Sequence, residues 1–347
     1  MKNIVFCIIA FLCIFGRGAF ADANESSQSN ADHAKSSPSV VAHRGASGYL
    51  PEHTLEAAVL AYNQGADYIE QDLVLSQDNV LIVLHDIHLE RTTDVEHQFP
   101  NRAREDGRFY AIDFTLAELK QLHVHERANA DGSLVFPNRY KGQAAFSLAT
   151  FEEHIALVNT LNQVRGRNVG LYPEIKAPAW HRAEGKDISS QVLTVLKRHG
   201  YADADDPVLL QCFDFNEIKR IRHTLNSELR LIQLLAENSW QESNNDYDYL
   251  KTNEGLAEIA AVAQGIGPWF PHVYDVERSQ ATSLVTDAKK HGLLIHPYTF
   301  RADQLPANMT APQTLDILFK QLEVDGVFTD HTDTVVGYLR RQRAETD

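Results

Sequence analysis

The chain is poor in cysteine, and this scarcity limits how its fold can be stabilised. Only three of its 347 residues are cysteines. Cys7 and Cys13 lie in an N-terminal segment that we predict to be removed, so the mature chain keeps Cys212 alone and can form no intramolecular disulfide. Cys212 lies in an apolar run typical of a buried strand, which favours packing over a nucleophilic role. Stability must therefore come from a large core, for which a hydrophobic content of 44% is ample.

Positive charge is also scarce. The chain has 32 Lys and Arg residues against 47 Asp and Glu residues, for a net charge of −15. A general nucleic-acid-binding protein needs a basic surface to displace counterions, so nucleic acid is excluded as a partner. The sequence also lacks the glycine-rich fingerprints of dinucleotide-binding and P-loop proteins.

The sequence has no apolar run long enough to span a membrane, although a shorter apolar run lies at the N-terminus. Residues 4–15 are apolar, follow Lys2 and precede an A-x-A motif at residues 19–21. This pattern predicts a signal peptide over residues 1–21, cleaved after Ala21, with an uncleaved anchor as the alternative. The run is too short to span a bilayer, so we expect an exported protein without stable membrane insertion. Residues 22–38, rich in Ser, Asn, Asp and Ala, predict a flexible leader.

The remainder, residues 39–347, alternates between strand-like and helix-like runs, which is typical of an α/β fold with a parallel sheet. Predicted strands cover residues 39–43, 68–75, 80–85, 169–176, 207–213, 230–235, 263–267, 293–298 and 325–329. Predicted helices cover residues 54–64, 115–122, 148–161, 188–199, 215–224, 254–261, 282–291, 312–322 and 333–340.

The second and third predicted strands lie too close together to be parallel neighbours. The runs 68–75 and 80–85 are separated by four residues, far fewer than a parallel crossover needs. They form an antiparallel pair, or one strand that re-enters the sheet after a turn. Counted as one unit they leave eight units, which predicts a TIM (β/α)8 barrel. A doubly wound sheet is the structural alternative.

The stretch between His85 and Val169 is far longer than a simple connection. We predict an insertion over about residues 88–145, after the second strand unit, with a helix start where Thr115 precedes Glu118 by three residues. A long loop beside the predicted strand ends is expected to cover part of a site. The alternative is an insertion on the surface with no role in the site.

Ionisable residues fall at the ends of the predicted strands, where TIM-barrel enzymes build their sites. His43 and His85 end two strands, Glu70 and Asp72 lie on the second, Glu174 and Lys176 end the fourth, His296 and Tyr298 end the penultimate one, and Asp330 follows the last.

The spacing of the acidic residues predicts a metal site. Glu70 and Asp72 are two residues apart, so they point to the same side of a strand, and Glu174 and Lys176 do likewise. Three converging carboxylates repel one another unless a cation lies between them. Oxygen ligands favour Ca²⁺ or Mg²⁺ over zinc, and calcium accepts the looser geometry. The pattern alone therefore predicts a metal-assisted hydrolase.

The chain resembles the glycerophosphodiester phosphodiesterase family. The resemblance is carried by AHRGASGYLPEHT at residues 42–54, GADYIEQD at 65–72, VLHD at 83–86 and YPEIK at 172–176, with further matches at 210–214, 265–268, 296–299 and 326–330. It covers about residues 39–340 and extends to a bacterial periplasmic branch with the same large insertion. We therefore expect a periplasmic enzyme that hydrolyses glycerophosphodiesters to glycerol 3-phosphate and an alcohol, in glycerol and lipid metabolism.

The resemblance also implies roles for individual residues. It makes His43 and His85 the acid/base pair, Glu70, Asp72 and Glu174 the ligands of a divalent cation that is usually calcium, Arg44 and Lys176 neighbours of the phosphate, and Glu52 a supporting residue. Gly45 and Gly48 are expected to let the backbone turn tightly beside the ligand.

The residues expected to contact the substrate are mainly aromatic. Phe213, Trp269, Tyr298 and Phe300 lie at or just after strand ends and are candidates for contact with glycerol, with core packing as the alternative. Gln211 is a candidate inward hydrogen-bonding group. We expect His53, His88, His123, His125 and His291 to be surface or structural residues.

Some alternatives stay open from the sequence. A related lyase acting on sphingolipid or lysolipid, and a non-enzymatic surface protein, are the competing functions. The sequence leaves open which histidine is the acid, whether water or the glycerol 2-hydroxyl attacks, whether the ion is Ca²⁺ or Mg²⁺, which alcohol group is preferred, and whether the protein forms a homodimer.

Overall fold

The structure, a computed structural model, describes residues 37–346. The predicted signal peptide, residues 1–21, and the predicted leader up to residue 36 lie outside the described residues. Among residues 37–346, no helix is both long enough and apolar enough to cross a membrane.

Eight parallel strands form the centre of the fold. All thirteen strands of the described residues, in chain order, are β1 (Ser39–Ala42), β2 (Tyr68–Leu75), β3 (Leu81–Val83), β4 (His123–Val124), β5 (Phe146–Ser147), β6 (Gly170–Ile175), β7 (Leu209–Cys212), β8 (Arg230–Leu235), β9 (Gly265–Pro268), β10 (Tyr274–Asp275), β11 (Gln280–Ala281), β12 (Leu294–Ile295) and β13 (Gly326–Thr329). The parallel strands are ordered β12-β9-β8-β7-β6-β2-β1-β13. The Asp325 and Phe328 amides donate to the Ile295 and Pro297 carbonyls at 3.1 and 2.9 Å, which connects the two ends of the sheet. The predicted TIM barrel is confirmed.

Helices follow the barrel strands. They are α1 (Leu55–Gln64), α2 (Val95–Gln98), α3 (Leu116–Leu119), α4 (Phe151–Arg165), α5 (Pro178–Ala183), α6 (Ile188–Arg198), α7 (Phe215–His223), α8 (Tyr247–Leu250), α9 (Asn253–Ala260), α10 (Phe270–Val273), α11 (Ser283–Lys290), α12 (Ala311–Asp316) and α13 (Thr332–Thr346), with 3₁₀ turns at Ala111–Asp113 and Asn238–Trp240 and a π-helix at Ile317–Gln321. The predicted capping box of Thr115 and Glu118 is present at the start of α3. Four helices were not predicted from the sequence, α2, α5, α8 and α10, because helices of four to six residues are too short to show a helical period.

The β2–β3 pair is antiparallel, as one of the two sequence interpretations expected. Its register pairs Leu73 with Val83, so β3 pairs only with the last part of β2 and is not one of the eight barrel strands. The chain then returns toward the barrel, and the Leu84 amide donates to the Asp72 carbonyl at 2.9 Å. His85 therefore reaches the acidic residues of β2 from a strand that runs against the barrel direction.

The segment between β3 and α4 has its own apolar core. It contains α2, α3 and the antiparallel pair β4–β5. Its core includes Leu89, Phe109, Phe114, Leu122 and Phe146, which pack against the outer parts of β2 and β3 rather than against the main core of the barrel. This packing holds the predicted insertion, residues 88–145, against the β2–β3 hairpin.

Burial of an acidic residue in this insertion leads to a pH-dependent prediction. The Glu126 side chain is 4% exposed, and burial raises its pKa from 4.5 to about 7. Above pH 7 the ionised carboxylate lowers the stability of the folded protein, and this penalty fades as the pH falls toward 4.5 because Glu126 is then protonated in both states. We expect Glu126→Gln to raise the free energy of unfolding by about 1–3 kcal/mol at pH 8 and by far less at pH 5, measured by denaturant titration.

The control for Glu126→Gln is Glu105→Gln, which removes an exposed carboxylate of the same insertion. That variant is expected to match the wild-type protein at both pH values. An equal gain from Glu126→Gln at pH 5 and pH 8 would show that ionisation is not its cause.

Candidate active site

Three buried carboxylates lie on two neighbouring strands. The register of β2 and β6 places Asp72 opposite Glu174, and Glu70 precedes Asp72 by two residues on the same side of β2. Glu70, Asp72 and Glu174 are 2%, 1% and 6% exposed. Together with His43 and His85 they line one cavity of about 180 Å³. The structure thus brings together five site residues that lie on four separate segments of the sequence.

The tightest group of metal-ligating side chains includes a histidine that sequence reasoning left outside the site. Within residues 37–346, only His53, Glu70 and Asp72 form a group of three or more ligand residues with ligand atoms that all lie within 4.8 Å of one another. His53 is buried, and its Nε2 lies 2.8 Å from Asp72 Oδ2. Glu174 is outside this tight group, although it faces Asp72 across the strand pair.

The oxygen atoms of Glu70, Asp72 and Glu174 fit a hard divalent cation. Asp72 Oδ1 is buried and finds no hydrogen-bond partner among the described residues. Burial raises the pKa of Glu70 well above its ordinary value, and the charge of Asp72 raises it further. The pKa of Glu174 is also well above its ordinary value, because burial and Asp72 outweigh the effect of Lys176. A cation between these oxygens would relieve both the repulsion and the unpaired oxygen.

Three basic side chains, with Lys176 first among them, keep Asp72 ionised. Burial by itself would raise the pKa of Asp72, but Lys176, His85 and His53 outweigh it and hold that pKa well below its usual range. Lys176 Nζ lies 2.8 Å from Glu174 Oε1 and 4.0 Å from Asp72 Oδ1. Lys176 is therefore placed against the carboxylates.

Arg44 lies directly in the wall of the cavity. Its backbone has φ +59°, and its amide donates to Glu70 Oε2 at 2.7 Å. Its side chain lies 3.1 Å from Glu52 Oε1 and 3.4 Å from Asp72 Oδ2. Arg44 therefore places a buried positive charge beside any molecule bound in the cavity. Its guanidinium group donates a hydrogen bond to Glu52.

Each histidine of the cavity donates to an aspartate. His43 Nδ1 lies 2.6 Å from Asp330 Oδ1, across the neighbouring strands β1 and β13. His85 Nδ1 lies 2.5 Å from Asp86 Oδ1. An ionised carboxylate can only accept, so Nδ1 carries the hydrogen in both rings and Nε2 is left for the cavity. This is the arrangement that orients an imidazole for proton transfer.

Both imidazoles are held in the neutral state in the absence of a bound anion. Burial, and then Arg44, lower the pKa of His43 to about 4 against the opposite effect of Asp330. Burial, Arg44 and Lys176 lower the pKa of His85 to about 3. Because both pKa values move in the same direction, the surroundings alone do not assign the acid and the base. A negatively charged ligand in the cavity would raise both.

The sequence matches a known enzyme family over most of its length. Residues 43–334 match the family model described as the glycerophosphoryl diester phosphodiesterase family. The chain is 41% identical to a glycerophosphodiester phosphodiesterase of Haemophilus influenzae over 95% of this chain and 97% of the relative. The chain belongs to the glycerophosphoryl diester phosphodiesterase family. The family and the enzyme class expected from the sequence, a phosphodiesterase, are confirmed.

Further comparisons agree with this family. A glycerophosphodiester phosphodiesterase of Treponema pallidum is 39% identical over 86% of this chain and 91% of its own length. The solved structure of an Oleispira antarctica phosphodiesterase, in complex with the product sn-glycerol-3-phosphate, covers 87% of this chain and 97% of its own, with a TM-score of 0.59 and 22% identity. A glycerophosphodiester phosphodiesterase of Agrobacterium tumefaciens covers 86% and 99%, with a TM-score of 0.56 and 20% identity. These structures share the barrel fold.

The aromatic residues predicted to contact the substrate line two adjoining cavities. Phe213 and Tyr298 line the cavity with the histidines, and Gln211 Oε1 lies there without a hydrogen-bond partner among the described residues. Trp269 and Phe300 line a neighbouring cavity of about 670 Å³. Tyr298 forms part of both walls, as do Trp240, Thr299 and Arg301.

The two glycines of the first motif, Gly45 and Gly48, lie in close contact with other protein atoms. A Cβ atom on Gly45 would lie 2.7 Å from the Ala57 carbonyl carbon, and its φ of +81° is a conformation that favours glycine. A Cβ atom on Gly48 would lie 2.6 Å from the His331 ring. The expected tight turn is present at Gly45, whose amide donates to the Ala42 carbonyl at 3.1 Å, and both glycines also allow the loop after β1 to pack closely on α1 and on the segment after β13.

Several residues around the site were missed from the sequence. Asp86 directly follows His85, and that adjacency was an available signal. His53 could have been found only through the fold, because its role depends on the buried oxygen of Asp72. Arg127 and Arg139 lie in the insertion, where no periodicity or motif marks them, and both approach the site through carboxylates.

Proposed function

We propose that this protein hydrolyses glycerophosphodiesters to glycerol 3-phosphate and an alcohol, with His43 and His85 as the acid/base pair and calcium as the assisting cation. The observation that carries the proposal is that two histidines, each donating to an aspartate, share one cavity with three buried carboxylates. The names of the Haemophilus and Treponema relatives and the product bound to the Oleispira phosphodiesterase support this substrate class.

The three carboxylates would hold the cation. Glu70, Asp72 and Glu174 supply oxygen ligands, which suit Ca²⁺ or Mg²⁺, and calcium better tolerates irregular geometry. A bound divalent cation offsets the negative charge that grows on the phosphate as the reaction proceeds. Arg44 adds a second positive charge in the cavity wall.

The histidines move the protons. One neutral imidazole takes a proton from the attacking oxygen, which is water or the 2-hydroxyl of glycerol, as that oxygen bonds to phosphorus. The other imidazole, protonated when the anionic diester is bound, gives a proton to the departing alkoxide as its bond to phosphorus breaks. When the 2-hydroxyl attacks, water must open the resulting cyclic phosphate in a second step. Asp330 and Asp86 keep both rings oriented with Nε2 toward the cavity.

The proposed setting is the periplasm, in glycerol and phospholipid-derived diester metabolism. The predicted signal peptide supports export, and it is tested by fractionating cells that produce the full chain and sequencing the N-terminus of the mature protein. A mature N-terminus at Asp22 is expected. Full-length protein retained in the cytoplasm would reject the proposed location.

The proposed activity is tested by measuring glycerol 3-phosphate released from glycerophosphocholine, with sphingomyelin and lysophosphatidylcholine as competing substrates. Rapid turnover of glycerophosphocholine with stoichiometric glycerol 3-phosphate is expected. Preferential turnover of the lipids with a cyclic product would favour the lyase. Absence of turnover on every diester, with each of a series of added metals, would favour a binding role.

A further inference from the structure

The insertion sends two arginines toward the two histidines of the site. Arg127 and Arg139 are both charged residues within the segment 88–145, yet their side chains are only 7% and 3% exposed. Neither lines the cavity that contains the histidines. Burying a guanidinium group is unfavourable unless its donors are satisfied, so the partners of these two side chains indicate what they do.

Arg127 contacts the carboxylate that accepts from His85. Its Nη1 donates to Asp86 Oδ2 at 2.7 Å, while Asp86 Oδ1 accepts from His85 Nδ1 at 2.5 Å. Its Nε and Nη2 donate to the two oxygens of Glu52 at 2.9 and 2.5 Å. Glu52 in turn holds Arg44 at 3.1 Å. Arg127 thus fixes Asp86 on the side opposite His85, and it also supports Arg44.

Arg139 makes the equivalent contact on the other side of the cavity. Its Nη2 donates to Asp330 Oδ2 at 2.5 Å, while Asp330 Oδ1 accepts from His43 Nδ1 at 2.6 Å. Its Nε donates to Asp303 Oδ2 at 3.0 Å. Arg301 lies 3.2 Å from the same Asp330 oxygen, but it also lines the cavity, whereas Arg139 does not.

We propose that the insertion is a positioning element, in which Arg127 and Arg139 fix the aspartates that orient the two histidines. The proposal rests on the proposed function and deepens it. In Asp86 and in Asp330, one carboxylate oxygen accepts from the histidine and the other accepts from the arginine of the insertion. Neither carboxylate can therefore rotate without breaking a charge-assisted hydrogen bond. The arginine also keeps the carboxylate ionised, and an ionised carboxylate fixes the Nδ1–H tautomer and leaves Nε2 for the reaction.

The alternative is that the two arginines only attach the insertion to the barrel. Arg104 is the matched control, because it also anchors the insertion to the barrel side through a forked ion pair. Its Nη1 and Nη2 donate to Glu184 at 3.0 Å and its Nε donates to Asp113 at 2.7 Å, whereas His43 and His85 are hydrogen-bonded to Asp330 and Asp86. Attachment alone predicts that each arginine contributes to stability and that none of them changes the hydrogen bond of His43 or His85.

The first test compares Arg127→Ala, Arg139→Ala and Arg104→Ala on glycerophosphocholine at a temperature where each variant is folded by circular dichroism. For Arg139→Ala we expect kcat to fall about 10- to 100-fold with KM changed less than about threefold, since the residue does not touch the cavity. Arg127→Ala is expected to lower kcat similarly and to raise KM as well, through Glu52 and Arg44. Arg139→Lys keeps the positive charge but cannot donate to Asp330 and Asp303 through separate guanidinium nitrogens. Its kcat should lie between those of Arg139→Ala and the wild-type protein. Arg104→Ala should keep wild-type kcat.

The second test does not depend on turnover. In protein labelled with ¹⁵N-histidine, the hydrogen-bonded Nδ1–H protons of His43 and His85 are expected as slowly exchanging downfield signals, assigned with His43→Ala and His85→Ala. Arg139→Ala should shift or remove the His43 signal and keep that of His85, and Arg127→Ala the reverse. Unchanged signals in both variants, or equal loss of kcat in the Arg104 control, would overturn the positioning role. A wild-type protein that turns over no glycerophosphodiester would overturn the proposed function, while the spectra still decide the positioning role.

Discussion

Replacing His43 or His85 by alanine is expected to lower kcat for glycerophosphocholine by about a thousandfold, while leaving the melting temperature nearly unchanged. The magnitude follows from the loss of a positioned acid or base, which contributes about 10²- to 10⁴-fold. His43 and His85 are 13% and 27% exposed and line the cavity, so their removal widens the cavity instead of opening a void in the apolar core. Because the two imidazoles act in one proton-transfer sequence, the double variant should be about as inactive as the worse single variant.

The control for this prediction is His199→Ala. His199 is also 27% exposed and also contacts a carboxylate, with Nε2 3.0 Å from Glu152 Oε1, but it lies outside the cavity. It should retain wild-type kcat. If either His43→Ala or His85→Ala kept more than about a tenth of wild-type kcat, that histidine would not be an acid or base in the reaction.

Much of the barrel could be predicted from the sequence because its strands are short, apolar and bounded by clear helical runs. The predicted strand at residues 230–235 coincides with β8, and the predicted helix at residues 188–199 differs from α6 by one residue. The predicted strand at residues 293–298 is shorter in the structure, where β12 covers Leu294–Ile295. Pro297 has no amide hydrogen to donate, so one ladder hydrogen bond is missing there, although the Tyr298 amide still donates to the Pro268 carbonyl at 2.9 Å.

The candidate site could be predicted only as far as strand ends reveal it. Glu70, Asp72 and Glu174 follow from their positions on β2 and β6, since alternation places them on one side of neighbouring strands. His85 was placed correctly among them for an incomplete reason, because it arrives on the antiparallel β3 and not at the end of a barrel strand. The contact of His53 with Asp72 depends on the path of the loop after β1, and no local pattern encodes that path.

The insertion shows why residues outside the motifs escape prediction. Asp86 and Asp330 stand next to recognisable strand ends, but Arg127 and Arg139 lie 41 and 191 positions away from them in the sequence. Such pairs form only after the insertion has packed on the β2–β3 hairpin. A single sequence therefore reveals the histidines and carboxylates of this site, while the cations that hold their partners become visible only in the folded chain.

Removal of the divalent cation is the second change for which we expect a large effect. Wild-type protein treated with EDTA should lose measurable turnover, and calcium should restore it. Calcium should also raise the melting temperature, because it relieves the repulsion of Glu70, Asp72 and Glu174, with a stabilisation of about 3 kcal/mol when free calcium is about 100 times its Kd. Scanning calorimetry with Ca²⁺ and Mg²⁺ in parallel measures this effect and decides between the two ions.

Glu70→Gln gives the decisive form of this experiment because its two expected effects have opposite signs. In the metal-free protein the ionised Glu70 is unfavourable, as burial and Asp72 raise its pKa well above the ordinary value, so the amide should increase the melting temperature. The same change replaces a charged carboxylate ligand by a neutral amide. It should therefore abolish both turnover and the calcium-dependent rise in melting temperature. Glu217→Gln is the contrasting control, since Glu217 is equally buried but lies between Arg182 and Arg220, and its loss should lower the melting temperature and keep the calcium response. If Glu70→Gln instead lowers the melting temperature of the metal-free protein and keeps the calcium response, Glu70 is a structural carboxylate and the cation binds elsewhere.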